Sequence, residues 1–185
     1  MPYHVSGSIE GLAPILFNRP YTEPSSTKTE EKRKETAARE RIYLGPDGVF
    51  MPAWTFKKML SVDGATRAGL KIKRTSLSKF LLAGLFMDGD PLFGVKEADF
   101  LHEVWGRVPP RTGAMVKIWR PALNTGWHLA FGFQVIDDLI EESQIREALD
   151  VAGLKVGLGG WRPEYGRFIV REWKVTTKHR EAQPS

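Results

Sequence analysis

The stretch 156–173, VGLGGWRPEYGRFIVREW, decides how the end of the chain folds. Gly157, Gly159, Gly160 and Gly166 cluster there beside Arg162, Arg167 and several aromatics. Glycine loses more backbone freedom on folding than any other residue, so such a cluster has a reason. Either a turn demands positive φ, or something approaches the backbone closely. Directly after it, Phe168, Val170, Glu172 and Lys174 alternate with Ile169, Arg171, Trp173 and Val175, which predicts a strand over 167–177. Directly before it, DDLIEESQIREALDVAGLKVG (137–157) reads as the best helix in the chain. Ile140, Ile145, Leu149 and Ala152 recur near helical spacing, acids crowd the start where the dipole favours them, and Gly153 and Gly157 are candidate stops.

Further out, AMVKIWRP (114–121) and WHLAFGFQVI (127–136) read as two strands joined by ALNTG (122–126). YHVSGSIEGL (3–12) alternates and reads as an N-terminal strand. Residues 42–44 and 49–51 flank GPDG as a short hairpin, and Pro52 then opens a helix, where its fixed φ and missing N–H are tolerated. Trp54, Phe56, Met59, Leu60 and Val62 give that helix an apolar face, with Lys57 and Lys58 pointing out. SLSKFLLAGLFM (76–87) reads as a buried helix, and 88–113 as loop punctuated by Gly and Pro. The order is strand, helix, two strands, helix, strand. It predicts an α+β domain over 1–177 with a ferredoxin-like (RRM-like) βαββαβ core: an antiparallel sheet with both helices on one face and the other face free. Insertions are expected at about 20–41 and 68–113, and a flexible polar tail at 178–185. The segment 20–41, PYTEPSSTKTEEKRKETAARER, has almost nothing apolar, so it reads as a mobile or partner-ordered excursion, or as a solvated helix over 28–41.

Composition narrows the function. There is no cysteine, which excludes disulfides, thiolate-bound zinc and a thiol nucleophile, and suits a reducing compartment. No apolar run approaches the roughly 20 residues of a membrane span, and the N-terminus lacks the pattern of a signal peptide, so a cytoplasmic location is expected. The 27 basic and 22 acidic residues leave a net charge of +5. Their distribution says more than their sum. No acid occurs in 64–87, which holds Arg67, Lys71, Lys73, Arg74 and Lys79, or in 104–136, which holds Arg107, Arg111, Lys117, Arg120 and His128. Segregated charge predicts a positive face and a polyanionic partner.

Three constellations follow. RAGLKIKRTSLSK (67–79) offers Lys71, Lys73, Arg74 and Lys79 to phosphates. KIWRPALNTGWH (117–128) sets Trp119 and Trp127 among Lys117, Arg120 and His128, a mix that suits stacking of unpaired bases and equally suits a strand with aromatics in the core. In the Gly-rich loop, Gly159 and Gly160 would open backbone N–H groups to a phosphate, with Arg162 and Arg167 adding charge; the alternative is a helix stop and a turn. No nucleotide P-loop pattern occurs. His4, His102, His128 and His179 lack metal spacing, and Asp137 and Asp138 are ordinary acids for a helix start. No catalytic residue, metal or cofactor is expected.

The strand in SGSIEGLAPILFNR, the strand–proline–helix element DGVFMPAWTFKKML and the Gly-rich loop GLGGWRPEYGRF before the last strand together resemble the RAMP superfamily of CRISPR-associated proteins. The likeness is to the repeating backbone subunit that coats guide RNA. The whole chain also looks like a group of phage and prophage proteins. Trp161 and Pro163 stand where the RAMP loop is often more basic. The resemblance implies an RRM-like core and a non-catalytic protein that binds single-stranded nucleic acid, RNA favoured over DNA, and lines up as a homo-oligomer or filament. A phage structural or interaction protein that oligomerises without nucleic acid is the alternative.

Overall fold

A computed structural model of the chain describes residues 2–20, 29–107 and 115–177. Its first strand, β1 (Tyr3–Gly11), is central because its alternation serves two neighbours. Val5 and Ile9 are fully buried on one face, while His4, Ser6, Ser8 and Glu10 lie on the other. The short β2 (Ile15–Leu16) follows, then helix α1 (Glu30–Glu40) and a tight hairpin of β3 (Leu44–Gly45) and β4 (Gly48–Val49). Pro52 caps the next helix as its sequence demands. That helix runs as α2 (Ala53–Lys58), a π-helical stretch Met59–Gly64, and α3 (Ala65–Ala68). Phe56, Met59 and Leu60 point into the core, but Trp54 stays 66% exposed. Gly69, at φ +69°, turns the chain into a small hairpin of β5 (Lys71–Ile72) and β6 (Thr75–Ser76).

Helix α4 (Leu77–Gly84), capped by the Ser76 hydroxyl, runs straight into β7 (Leu85–Met87). Then come β8 (Phe100–Arg107), β9 (Met115–Leu123), β10 (His128–Val135), helix α5 (Glu142–Lys155) and β11 (Phe168–Thr177). The main sheet has the order β11–β1–β10–β7, and every pair is antiparallel. Taking these as the fourth, first, third and second core strands gives the ferredoxin-like arrangement, so the α+β, RRM-like expectation is met. Helices cover one face. Phe56 meets Phe131 at 5.0 Å between ring centroids, and Ile145, Ala148, Leu149 and Ala152 of α5 complete the same core. Burying each large apolar side chain there contributes about 1.5–3 kcal/mol relative to exposure.

Three assignments change. The strand expected at 114–121 does not enter the main sheet; β9 lies in a separate sheet ordered β2–β9–β8. The second core strand is instead β7, inside the segment 76–87 read as all helix. Three residues are too few to display a period of two, and Leu85 and Met87 share the apolar character of the helix before them. Part of 88–113, read as loop, is β8, which pairs with β9 from Phe100↔Ala122 to Arg107↔Met115. Its sequence, FLHEVWGR, alternates poorly, and cross-strand pairing makes it a strand. Helix α1 forms within the expected excursion 20–41, and its Ala37 is 3% exposed. Residues 21–28 of that excursion, residues 108–114 (Arg111, the end of the expected loop and the first residue of the expected strand) and the tail 178–185 lie outside the described residues.

Candidate nucleic-acid interface

The β5–β6 hairpin displays the strongest charge. Ile72 pairs with Thr75, so Lys73 and Arg74 form a two-residue turn. Leu77 N–H donates to the Leu70 carbonyl at 2.9 Å and closes its base. Lys73 holds φ +57°, a left-handed value usually left to Gly or Asn at such turns. Lys71, Lys73, Arg74 and Lys79 are all exposed, and none pairs with a carboxylate among the described residues. Four cations without counter-charges create a positive potential that a phosphate backbone would relieve.

The Gly-rich loop answers the question its glycines raise. A β-carbon on Gly159 (φ +85°) would stand 2.7 Å from the Leu16 carbonyl oxygen, and one on Gly166 (φ +76°) 1.8 Å from that of Leu158. The backbone that approaches so closely is the chain's own. Gly160 N–H donates to the Leu16 carbonyl, Gly166 N–H to Pro14 and Leu158 N–H to Gly166, each at 2.8 Å. The donor expected at Gly160 is therefore committed within the protein. The loop clamps α5 and β11 onto β2, and Tyr165 Oη meets His102 Nε2 of β8 at 2.9 Å. Arg162 and Arg167 remain exposed. Arg162 Nη1 contacts Asp63 Oδ2 at 3.1 Å, across an open cleft of about 900 Å3 between the loop and the π-helical stretch.

The third constellation divides. Lys117 is exposed on the β8–β9 hairpin, 3.1 Å from Glu103 and over the Trp105 ring at 5.5 Å. Trp119 and Arg120 are each only 8% exposed, so burial removes both as direct contacts. Trp127 is 6% exposed, with its indole N–H donating to the Ala13 carbonyl at 2.8 Å; it is a core residue. The aromatic that the hairpin does present is Trp105, 53% exposed. Trp105, Trp161, Arg67 and Lys155 were not singled out as contacts from the sequence. Arg67 lies in the acid-free run that signalled its neighbours, whereas Lys155 reads as an ordinary helix-end cation.

The open face of the main sheet is polar and internally paired. His4 Nε2 lies 2.5 Å from Asp88 Oδ2, Ser8 Oγ donates to Glu172, and Arg171 Nε donates to Glu10 at 2.5 Å. That last pairing holds the Glu10 carboxyl below its ordinary range. The outward positions of β1 and β10 are His4, Ser6, Ser8, Glu10, His128, Ala130, Gly132 and Gln134, so this face carries no stacking platform of the RRM kind on its central strands. Asp137 Oδ1 accepts Leu139 N–H in a turn before α5; the helix itself starts at Glu142 and is capped by Glu141, so Asp137 does not serve the helix start expected of it. Among the described residues no cluster of three His, Asp or Glu side chains is placed to hold a metal, and no helix is long and apolar enough to cross a membrane.

No protein-family model matches the chain, and no curated protein matches its sequence. Solved structures do match its fold. A chain in the cryo-EM structure of the Type III-B Cmr-beta bound to cognate target RNA superposes with a TM-score of 0.60 at 11% identity. The superposition covers 94% of this chain and 60% of that one, so this chain spans less than two thirds of its neighbour's length. At that identity the likeness is one of fold.

Proposed function

We propose that this chain is a non-catalytic, RAMP-like protein that binds single-stranded nucleic acid, RNA in preference to DNA, and coats it in several copies. The observation that carries this reading is the β5–β6 hairpin, which presents Lys71, Lys73 and Arg74 with no carboxylate among the described residues to neutralise them. The fold likeness to a chain of an RNA-bound CRISPR assembly supports the choice of RNA and a CRISPR setting over a phage one. Arg162, Arg167 and Lys117 extend the positive surface onto the loop and the β8–β9 hairpin, where Trp105 is the candidate stacking group.

The test is fluorescence anisotropy with labelled single-stranded RNA, single-stranded DNA and duplex DNA at low and moderate salt. Salt-sensitive, sequence-tolerant binding to one single strand is expected, with loss in the K71E/K73E/R74E variant. Equal binding by that variant sinks the reading. A second reading, an interaction protein that oligomerises without nucleic acid, has its own observation: Trp54, Leu82 and Phe86 are all about half-exposed or more around edge strand β7. A salt-resistant oligomer with no affinity for any of the three ligands selects it.

A further inference from the structure

Two non-glycine residues among those described hold left-handed φ, and both are exposed. One is Lys73 on the charged hairpin; the other is Trp161, at φ +55°. A left-handed φ is unfavourable for any residue with a β-carbon, and for a bulky one it is a genuine outlier. Core packing does not offset it here, because Trp161 is 47% exposed. Glycine stands just before it at 159 and 160, so the turn had a cheaper occupant available. An outlier of this kind points to what the side chain does.

Trp161 lines the open cleft of about 900 Å3, opposite the helix. The cleft's other walls carry Arg162 from the loop, Lys155 from the last turn of α5, and Asp63, Thr66 and Arg67 from the helix. The last three share one face across the π-helical stretch and α3, a helical irregularity frequent at functional sites. Three cations face one carboxylate. Arg162 is latched to Asp63 at 3.1 Å, while Arg67 and Lys155 have no partner among the described residues. An indole beside a net positive cleft, sized for a small ligand, matches an aromatic base joined to phosphate.

We propose that this cleft binds a nucleoside phosphate, with Arg67, Lys155 and Arg162 on the phosphate and Trp161 against the base. The ligand is either a free nucleotide or the phosphorylated end of a strand, since both present the same groups. The site stands independently of the hairpin's binding to a strand. Asp63 competes with the phosphate for Arg162.

The test uses the full chain and the anisotropy of N-methylanthraniloyl-ADP, with AMP, adenosine and inorganic phosphate as competitors. Saturable binding is expected, with AMP competing better than adenosine or phosphate. Trp161→Gly relieves the backbone, so it keeps or raises the melting temperature while weakening the probe by about tenfold, as loss of one base-stacking contact does. Asp63→Asn frees Arg162 and tightens binding, the opposite of what a merely structural ion pair predicts. Absence of probe binding, phosphate competing as well as AMP, or a well-folded Trp161→Gly that binds like the native chain would each overturn the proposal. Competition by oligonucleotides then separates the sources. A 5′-phosphorylated strand that outcompetes both its 5′-hydroxyl form and AMP identifies a strand end; AMP matching it identifies a free nucleotide. Failure of the strand-binding reading looks different: no 5′-hydroxyl oligonucleotide binds, yet the probe does.

Discussion

At Gly166 a β-carbon has nowhere to go, because a backbone carbonyl stands 1.8 Å from where it would sit and the φ is +76°. A left-handed φ alone costs an L-residue about 1–2 kcal/mol, and overlap with a rigid carbonyl adds to it. Gly166→Ala is therefore expected to destabilise by more than about 2 kcal/mol in urea unfolding, with the loop's Tyr165–His102 contact loosened. The glycine cluster was visible in the sequence, but its reason was not: the carbonyl that crowds Gly159 belongs to Leu16, far away along the chain. Tyr3 gives a second residue-scale prediction. Burial first, and then the nearby carboxylates of Glu142 and Glu141, push its phenol above the ordinary value of 10.0. A raised folded pKa adds stability that is fully present below the unfolded value and is lost as pH rises through and beyond it. Tyr3→Phe should thus show a shallower loss of stability between about pH 9 and pH 11 than the native chain, although it forfeits the hydrogen bond to the Ile140 carbonyl. An unchanged alkaline slope would remove Tyr3 from that role.

Tryptophans at similar sequence positions part company once their elements are placed. Trp127 opens the path into β10 from inside the core, and Trp105 stands on the outer part of the β8–β9 hairpin. Trp127→Ala should cost about 3–5 kcal/mol of stability, as large-to-small core changes do. Trp105→Ala should change stability by no more than about 1 kcal/mol, yet weaken single-strand binding by about 1–3 kcal/mol if the indole stacks on a base. Melting curves and anisotropy on the same two variants check both. The alternation of Trp127, Leu129, Phe131, Phe133 and Val135 made β10 legible, because one buried face imposes a strict period of two. Helix α5 was legible for the matching reason at helical spacing. Strands β7 and β8 were not: one is three residues long, and the other owes its conformation to β9 rather than to its own pattern. The same limit hid the site. Composition marked Lys71, Lys73 and Arg74, but only the fold brings Arg67, Lys155 and Trp161 to one cleft.

On the scale of the molecule, the main sheet has helices on one face and polar side chains on the central strands of the other, where only the edge residue Phe86 is aromatic among the described residues, so the central strands offer no aromatic bed for bases. The cations sit instead on what projects from the sheet: the β5–β6 hairpin, the Gly-rich loop and the β8–β9 hairpin. Binding that rests on such projections is dominated by phosphate contacts, tolerant of sequence and steep in salt. For single strands each phosphate contact contributes about 0.7 to the logarithmic salt slope, so reversing Lys71, Lys73 and Arg74 should flatten it by about 2. A chain of 185 residues that reaches a strand through projections covers a short length of it, and the edges β7 and β11 leave the sheet open at both sides. Longer strands should then collect more copies. Light scattering with single-stranded RNA of increasing length is expected to show mass rising in steps of one 20.9 kDa chain, at a constant number of nucleotides per step. A complex that stays at one copy whatever the length would leave the hairpin's charge its role in binding and remove the coating assembly.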